Sequence, residues 1–291
     1  FWQSKTLYTV KNYLELAVDE KLPIIITECA ATDGSGVKGS CTITITSPWK
    51  SFEIGDYVVR TPGGDIEFAA NLSTAKSKGS VVGVVVAKTN PRASDPKLPT
   101  GCTHGVAIAL GEGQGNWWSD TPSSSPYKVY EWAVQNGYQS TMGIDWNNSQ
   151  GTHRAGTADL FVGYNNTLAL QAYISAKGLS SGIISALMAY RSNSSTPALP
   201  NGASPYYLPS VAEMDAIAAY SNMSFVLSNK LKDAGGTQLK NMMYWTVSEN
   251  GNSYSQAAEI NPLTGEIGVR GKTSTQDSYG DSCRVRYVFA F

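Results

Sequence analysis

YYLPSVAEM, residues 206–214, opens the best-punctuated helix in the chain. Pro209 closes an apolar run, and Ser210 stands three residues before Glu213, the spacing of a capping box. Met214, Ile217 and Ala218 then recur on one helical face. Working outward toward the C-terminus, a second helical pattern over roughly 224–233 runs into Gly235-Gly236, a left-handed stop signal. Beyond it, residues 243–291 read as short strands and turns: YWTVSE, AAEINP, LTGEIGVRGK and finally RVRYVFAF, residues 284–291. The last of these alternates Val285, Tyr287, Phe289 and Phe291 against Arg284, Arg286, Val288 and Ala290. Working toward the N-terminus, helical patterns occupy about 126–136, 166–177 and 181–191. They are preceded by short apolar strands at 54–60 (IGDYVVR), 80–87 (SVVGVVVA) and 105–110 (GVAIAL). Strands, then helices, then strands, with no regular βαβ rhythm, indicate an α+β fold.

The first fifty residues have a different texture. A helical spacing over 9–20 is followed by two strand-like runs, 22–28 and 41–47, with a Gly-rich turn between them. Cys29 and Cys41 flank the turn-forming Asp33-Gly34-Ser35-Gly36. They could face each other across a hairpin, where a disulfide would suit an exported protein, or stand as two separate half-buried thiols. Cys102 and Cys283 complete the set of four, and no CxxC pair points to a zinc ribbon or a thioredoxin-like centre.

Composition narrows the function classes. The formal net charge is -1, from 22 basic and 23 acidic residues, so no field exists to attract phosphate and nucleic acid is a poor partner. Only 15% of the residues are charged, against roughly 25% in an average soluble domain. The polar surface must come from Ser, Thr, Asn, Gly and Tyr, which suits recognition through many weak hydrogen bonds and stacking contacts. It suits plain extracellular solubility as well. No run of 18 apolar residues occurs, so no membrane span is expected. The sequence begins at Phe1 with no signal segment in view, and an exported, cell-surface location is expected.

Three marks in this order carry a family resemblance: Tyr206-Tyr207-Leu208-Pro209-Ser210 with Glu213-Met214, Tyr244-Trp245-Thr246-Val247-Ser248-Glu249, and the closing 284–291. Together they resemble the C-type-lectin-like domains of Bacteroidetes surface proteins, including fimbrial-tip adhesins and the Fibrobacter-type paralogous lectin-like domains. Ile54-Gly55-Asp56-Tyr57, Val82-Gly83-Val84-Val85, His104-Gly105-Val106 and Gly163-Tyr164-Asn165-Asn166-Thr167 agree with it. Thr246-Val247 and Tyr287 depart from the family pattern without altering the expected fold. The resemblance covers residues 51–291. It implies a small, twisted, mainly antiparallel sheet, two or more helices and a long irregular segment that presents the ligand-facing surface. Residues 1–50 are expected to be a β-rich extension. They could be a small module, the end of a preceding one, or extra strands packed on the lectin-like domain.

Under that resemblance the stretch between Trp245 and Cys283 is tethered at both ends by strands. Its Asn250, Asn252, Tyr254, Arg270, Lys272, Gln276, Asp277 and Tyr279 are interleaved with Gly and Ser, and core burial does not explain residues of this kind. They are candidate ligand contacts on a rigid scaffold; individually each also fits an ordinary solvated loop. Trp117 and Trp118, adjacent in a small-residue loop, fit either a stacking platform or the core.

Catalytic signals are weak. The same superfold hosts formylglycine-generating enzymes, which need paired cysteines, and iron-dependent relatives, which need clustered histidines; this chain has only Cys283 near the relevant end. His104 and His153 lie far apart, and His104 at a strand entrance fits a structural role. There is no GxSxG and no HExxH. Asp65 with Glu67, or Asp277 with Asp281, could serve calcium, but neither has regular ligand spacing. The expectation is a non-enzyme without cofactor or metal that contacts a protein or carbohydrate on a host or neighbouring cell. It would be displayed at the outer membrane or a fimbria, with other fimbrial subunits as further partners. The alternatives are an assembly subunit of a fimbria and a diversity-generated receptor-binding protein.

Overall fold

The structure is a computed structural model. It describes residues 51–118, 129–138, 160–221, 226–250, 256–276, 280 and 282–291, together with the short strands at 24–26, 31–32, 38–39, 43–45, 143–146 and 154–156. The chain divides into two compact units, Phe1–Ser51 and Phe52–Phe291.

In the first unit, β1 (Ile24–Ile26) pairs antiparallel with β4 (Ile43–Ile45), and β2 (Ala31–Thr32) pairs antiparallel with β3 (Lys38–Gly39). These nested pairs agree with the two strand-like runs on either side of the Gly-rich turn. The helical spacing over 9–20, and Cys29 and Cys41, lie outside the described residues.

The second unit is α+β. Its strands are β5 (Tyr57–Arg60), β6 (Ile66–Ala69), β7 (Ser80–Ala87), β8 (Val106–Gln114), β9 (Gly143–Trp146), β10 (Arg154–Gly156), β11 (Tyr244–Asn250), β12 (Gln256–Ile260), β13 (Ile267–Gly271) and β14 (Arg284–Ala290). Eight of them form the path β10-β9-β11-β14-β8-β7-β5-β6, and β12 and β13 branch from β11 as a hairpin. Most pairings are antiparallel, as expected, but β11 runs parallel to both β14 and β9, so the sheet is mixed. Neither parallel pairing joins strands adjacent in sequence, so no hairpin pattern announces it.

The described helices are α1 (Leu72–Lys78), α2 (Val129–Gln135), α3 (Gly163–Lys177), α4 (Gly182–Ser192), α5 (Val211–Ser221) and α6 (Val226–Asp233). α1 was not anticipated from periodicity. It is a single short stretch set by Asn71, whose side chain accepts from Thr74 N, and closed by Gly79. α5 begins where YYLPSVAEM places it. The capping box is half made: the Ser210 backbone N–H donates to Glu213 Oε2 at 2.6 Å, whereas Ser210 Oγ donates to Leu160 O at 3.1 Å. Gly235, at φ +84°, closes α6 with Gly236 N donating to Leu231 O.

The terminal strand β14 explains why 284–291 is almost wholly apolar. Val288 and Ala290 join a core with Val84, Val86, Val106, Ile108, Met214, Ile217, Leu227 and Leu231, beneath α5 and α6. On the opposite face an aromatic ladder runs through Tyr190–Tyr287 (4.5 Å), Tyr206–Phe289 (5.7 Å), Phe289–Phe291 (6.4 Å) and Phe68–Phe291 (5.3 Å). Both faces are covered, so the alternation of the sequence separates two cores rather than core from water. Arg286, fully buried, donates to Thr237 O and Gln238 O and pairs with Glu112 at 3.3 Å, which also accepts from Tyr244 Oη. Acceptors of this kind offset the burial of a guanidinium, although Arg286 Nε has no hydrogen-bond partner.

Gly83 sits where this packing is tightest. A Cβ there would lie 2.4 Å from Ile108 O and 2.8 Å from a Phe289 ring carbon. Gly83→Ala should therefore cost about 1–3 kcal/mol of unfolding free energy, measured by urea denaturation. A change below about 0.5 kcal/mol would show that β7 and β8 separate without penalty.

Candidate recognition site

β11 carries the root of the candidate segment. Its residues are buried along their whole length, and its C-terminal end leads into the stretch expected to meet a ligand. Glu249, near that end, has no solvent exposure. Its carboxylate accepts from the backbone N–H groups of Val129 (3.1 Å) and Tyr130 (3.0 Å), the first residues of α2, and meets Lys272 Nζ. Backbone donors at a helix start are otherwise unpaired, so one carboxylate there satisfies two of them.

Lys272 follows β13 immediately and its side chain is as buried as its partner's. Its Nζ stands 4.6 Å from the Trp118 ring centroid and 5.4 Å from that of Trp117, within the range of cation–π attraction. The backbone carbonyl of Lys272 accepts from Trp118 N at 3.3 Å, and Trp117 Nε1 donates to Thr246 O at 3.1 Å. The two indoles meet edge to face at 6.1 Å, and Tyr173 and Trp132 extend the aromatic wall. Burial pushes the Glu249 carboxyl up and the Lys272 amine down; each is opposed by the charge of the other.

Of the candidate ligand contacts, Trp117, Trp118, Lys272 and Asn250 are buried; for the two tryptophans this is the core placement that the sequence left open beside a stacking platform. Trp117 and Trp118 form the wall of an internal cage and offer no stacking face to solvent. Asn250 Nδ2 donates to Gln256 Oε1 at 3.0 Å, which ties the base of the β11–β12 hairpin. Lys272, polar and flanked by Gly271 and Thr273, reads as a solvated residue until its partner, 23 positions earlier, is known.

Arg270 is partly exposed on β13 and pairs with the buried Glu259 at 3.5 Å. Gln276 is exposed, and its backbone forms a bridge with Ser282. Asn252, Tyr254, Asp277 and Tyr279 lie outside the described residues. The segment is held at its close by Cys283 N donating to Thr275 O, and by Gly115 N donating to Cys283 O. Of the candidate residues, then, Arg270 and Gln276 are brought to the surface by the same excursion, while Asn250 and Lys272 anchor it.

A second buried polar cluster lies under the start of α5. Tyr207 Oη donates to Glu213 Oε1 at 2.9 Å, and Asp95 Oδ2 accepts from Asn165 N at 2.7 Å near the start of α3. Desolvation raises Asp95 to about 6 and Glu213 to about 7, in each case against the pull of hydrogen bonds from backbone N–H groups. These carboxyls fasten helix starts within the core, a role the sequence shows only for Glu213.

Cys102 and Cys283 are buried and are not joined to each other by a disulfide. Cys102 Sγ lies 3.4 Å from both Gly202 O and Ala290 O, and desolvation pushes its thiol up to about 11. His104 sits at the entrance to β8, its backbone N–H donating to Phe291 O and its Nδ1 2.9 Å from Thr103 Oγ1, a structural placement. His153 lies outside the described residues. Asp65 is exposed, while Glu67 pairs with Lys78 at 3.1 Å. Among the described residues no group of three or more His, Cys, Asp or Glu side chains could hold a metal ion. No helix among them is long and apolar enough to cross a membrane.

Neither a family model nor a curated protein matches the sequence. Among solved structures the fold is similar to a fimbrial protein from Bacteroides ovatus ATCC 8483, with a TM-score of 0.59 and 18% sequence identity. The match covers 82% of this chain and 49% of that one, so this chain spans about half the length of its structural neighbour. At that identity the likeness is one of fold: this chain has an α+β architecture also found in a fimbrial protein.

Proposed function

We propose that the protein is a non-catalytic, fimbria-associated binding protein of a bacterial cell surface, with a C-type-lectin-like second unit that recognises a protein or a glycan. The observation that carries this reading is the anchored excursion. Between β11 and β14 the chain adds β12 and β13 to the same sheet, and an internal cage of Glu249, Lys272, Trp117 and Trp118 ties this part to the scaffold. Rigid support beneath a polar, aromatic segment lowers the entropy lost when a ligand binds. The fold likeness to a fimbrial protein supports the same setting. It equally favours a second reading, an assembly subunit whose surface mates with another fimbrial protein and has no foreign ligand.

The candidate contacts Tyr254, Gln276 and Tyr279 are the ones to test together, and Arg270 is kept intact because its loss would leave Glu259 buried without that partner. Glycan and host-protein arrays probed with the wild type should return a ligand. Changing Tyr254, Gln276 and Tyr279 together to Ala should weaken that binding at least about tenfold, or ~1.4 kcal/mol. Unchanged binding by the triple variant would remove the site from this segment. Arrays without a ligand, with co-purification of fimbrial subunits, would favour the assembly reading. The absence of turnover and of bound metal in purified protein is also expected.

A further inference from the structure

The contact between Lys272 Nζ and Glu249 Oε1 has no solvent exposure on either side. Trp117 and Trp118 face the amine, and Val129 N and Tyr130 N each donate to one oxygen of the carboxylate. Both side chains rise from regular backbone, Glu249 on β11 and Lys272 directly after β13, and β12 pairs with both strands. The two groups are thus held in contact by the sheet itself, in a space closed to water.

We propose that Lys272 and Glu249 are joined by an intramolecular amide bond, formed in the folded protein by condensation of the amine with the carboxyl group. The chemistry needs no co-reactant. In the closed cage a proton passes from the ammonium to the carboxylate, because a neutral pair avoids holding two charges out of water. The freed lone pair on Lys272 Nζ attacks Glu249 Cδ. The oxygen that gains negative charge in the tetrahedral intermediate keeps one backbone N–H donor of α2, Val129 N on Oε1 or Tyr130 N on Oε2, which helps to stabilise it. The C–OH bond then breaks, and the hydroxyl leaves as water with the second amine proton. One C–N bond forms, one C–O bond breaks, and nothing is oxidised or reduced.

Fixed proximity replaces the entropy that a bimolecular condensation would lose. The product carries no charge where two stood, and the water released moves to bulk solvent, which together oppose hydrolysis back to the pair. Burial moves the titration of both groups toward the neutral form, in keeping with the first step. The Trp faces act against that step by favouring the ammonium, and they also exclude the water that would compete as nucleophile. The bond would close a covalent ring through β12 and β13, from residue 249 to residue 272, fastening the root of the candidate recognition segment.

Intact mass spectrometry of the purified chain, denatured and reduced, tests the proposal directly. The wild type should be lighter than its sequence by one water. A tryptic digest should contain one branched peptide linking the Glu249 and Lys272 segments, with no cleavage after Lys272. Lys272→Arg should show the full sequence mass. A wild-type mass equal to that of the sequence overturns the proposal, as does a water loss that persists in Lys272→Arg without a branched peptide.

Discussion

Lys272→Met is expected to lower the melting temperature by about 10 °C, which corresponds to a loss of ~3–5 kcal/mol. The replacement keeps the apolar stem against Trp117 and Trp118 but removes the group that Glu249 meets. Glu249 is then a carboxyl group with no exposure and only the Val129 and Tyr130 N–H donors to hold it. Such an uncompensated group costs more than the pair contributes, since the desolvation is retained and the attraction is lost. This holds whether the two side chains meet as charges or as an amide. The double variant Lys272→Met with Glu249→Gln should recover part of the loss, because no buried charge remains. A thermal melt of Lys272→Met within about 2 °C of the wild type would mean that water reaches Glu249 and that the cage is not closed.

Acidification from pH 8 to pH 5 is expected to stabilise the protein through Asp95 and Glu213. Both are held above the ordinary carboxylate range, Asp95 at about 6 and Glu213 at about 7, chiefly by desolvation. A carboxyl whose folded value is raised binds more protons in the native state than in the unfolded state between the two values. Its stabilisation is complete below the unfolded value of about 4 and is lost as pH rises through 6 and 7. With ~1.4 kcal/mol for each unit of displacement, the two groups together should change stability by several kcal/mol across that window. Glu213→Gln keeps an acceptor for Ser210 N and cannot ionise, so it should flatten the upper part of the profile and melt no lower than the wild type at pH 8. A wild-type melting temperature that stays level or rises from pH 5 to pH 8 would contradict the assignment.

Local signals account for the parts of the fold that the chain states in its own neighbourhood. The start of α5 at Val211 follows from Pro209, Ser210 and Glu213, and the end of α6 follows from Gly235-Gly236, because caps and stops involve groups a few residues apart. β7, β8 and β14 follow from continuous β-branched and aromatic runs. α1, by contrast, is seven residues long and too short for a periodic pattern to separate it from a loop.

The candidate site was legible only in its outline. That residues 250–283 would form an excursion between two core strands follows from YWTVSE and RVRYVFAF. Which of its side chains face water does not. Lys272 and Asn250 carry the same chemistry as exposed loop residues, and their burial depends on partners distant in sequence, above all Trp117 and Trp118. The one signal available is Glu249 itself, the single charged residue of YWTVSEN, which requires a partner once that strand is buried.

By itself, the sequence determined the α+β class, the places of β5, β7, β8, β11, β14 and of the longer helices, and the neutral hydroxyl- and amide-rich composition, since all three depend on composition and local periodicity. The tertiary structure alone decided that β14 is covered on both faces, that β11 pairs in parallel with β9 and β14, and that Lys272 is enclosed with Glu249 against Trp117 and Trp118. Each of these rests on groups brought together over long stretches of chain. Their energies come from desolvation and pairing, and neither exists until the partners meet.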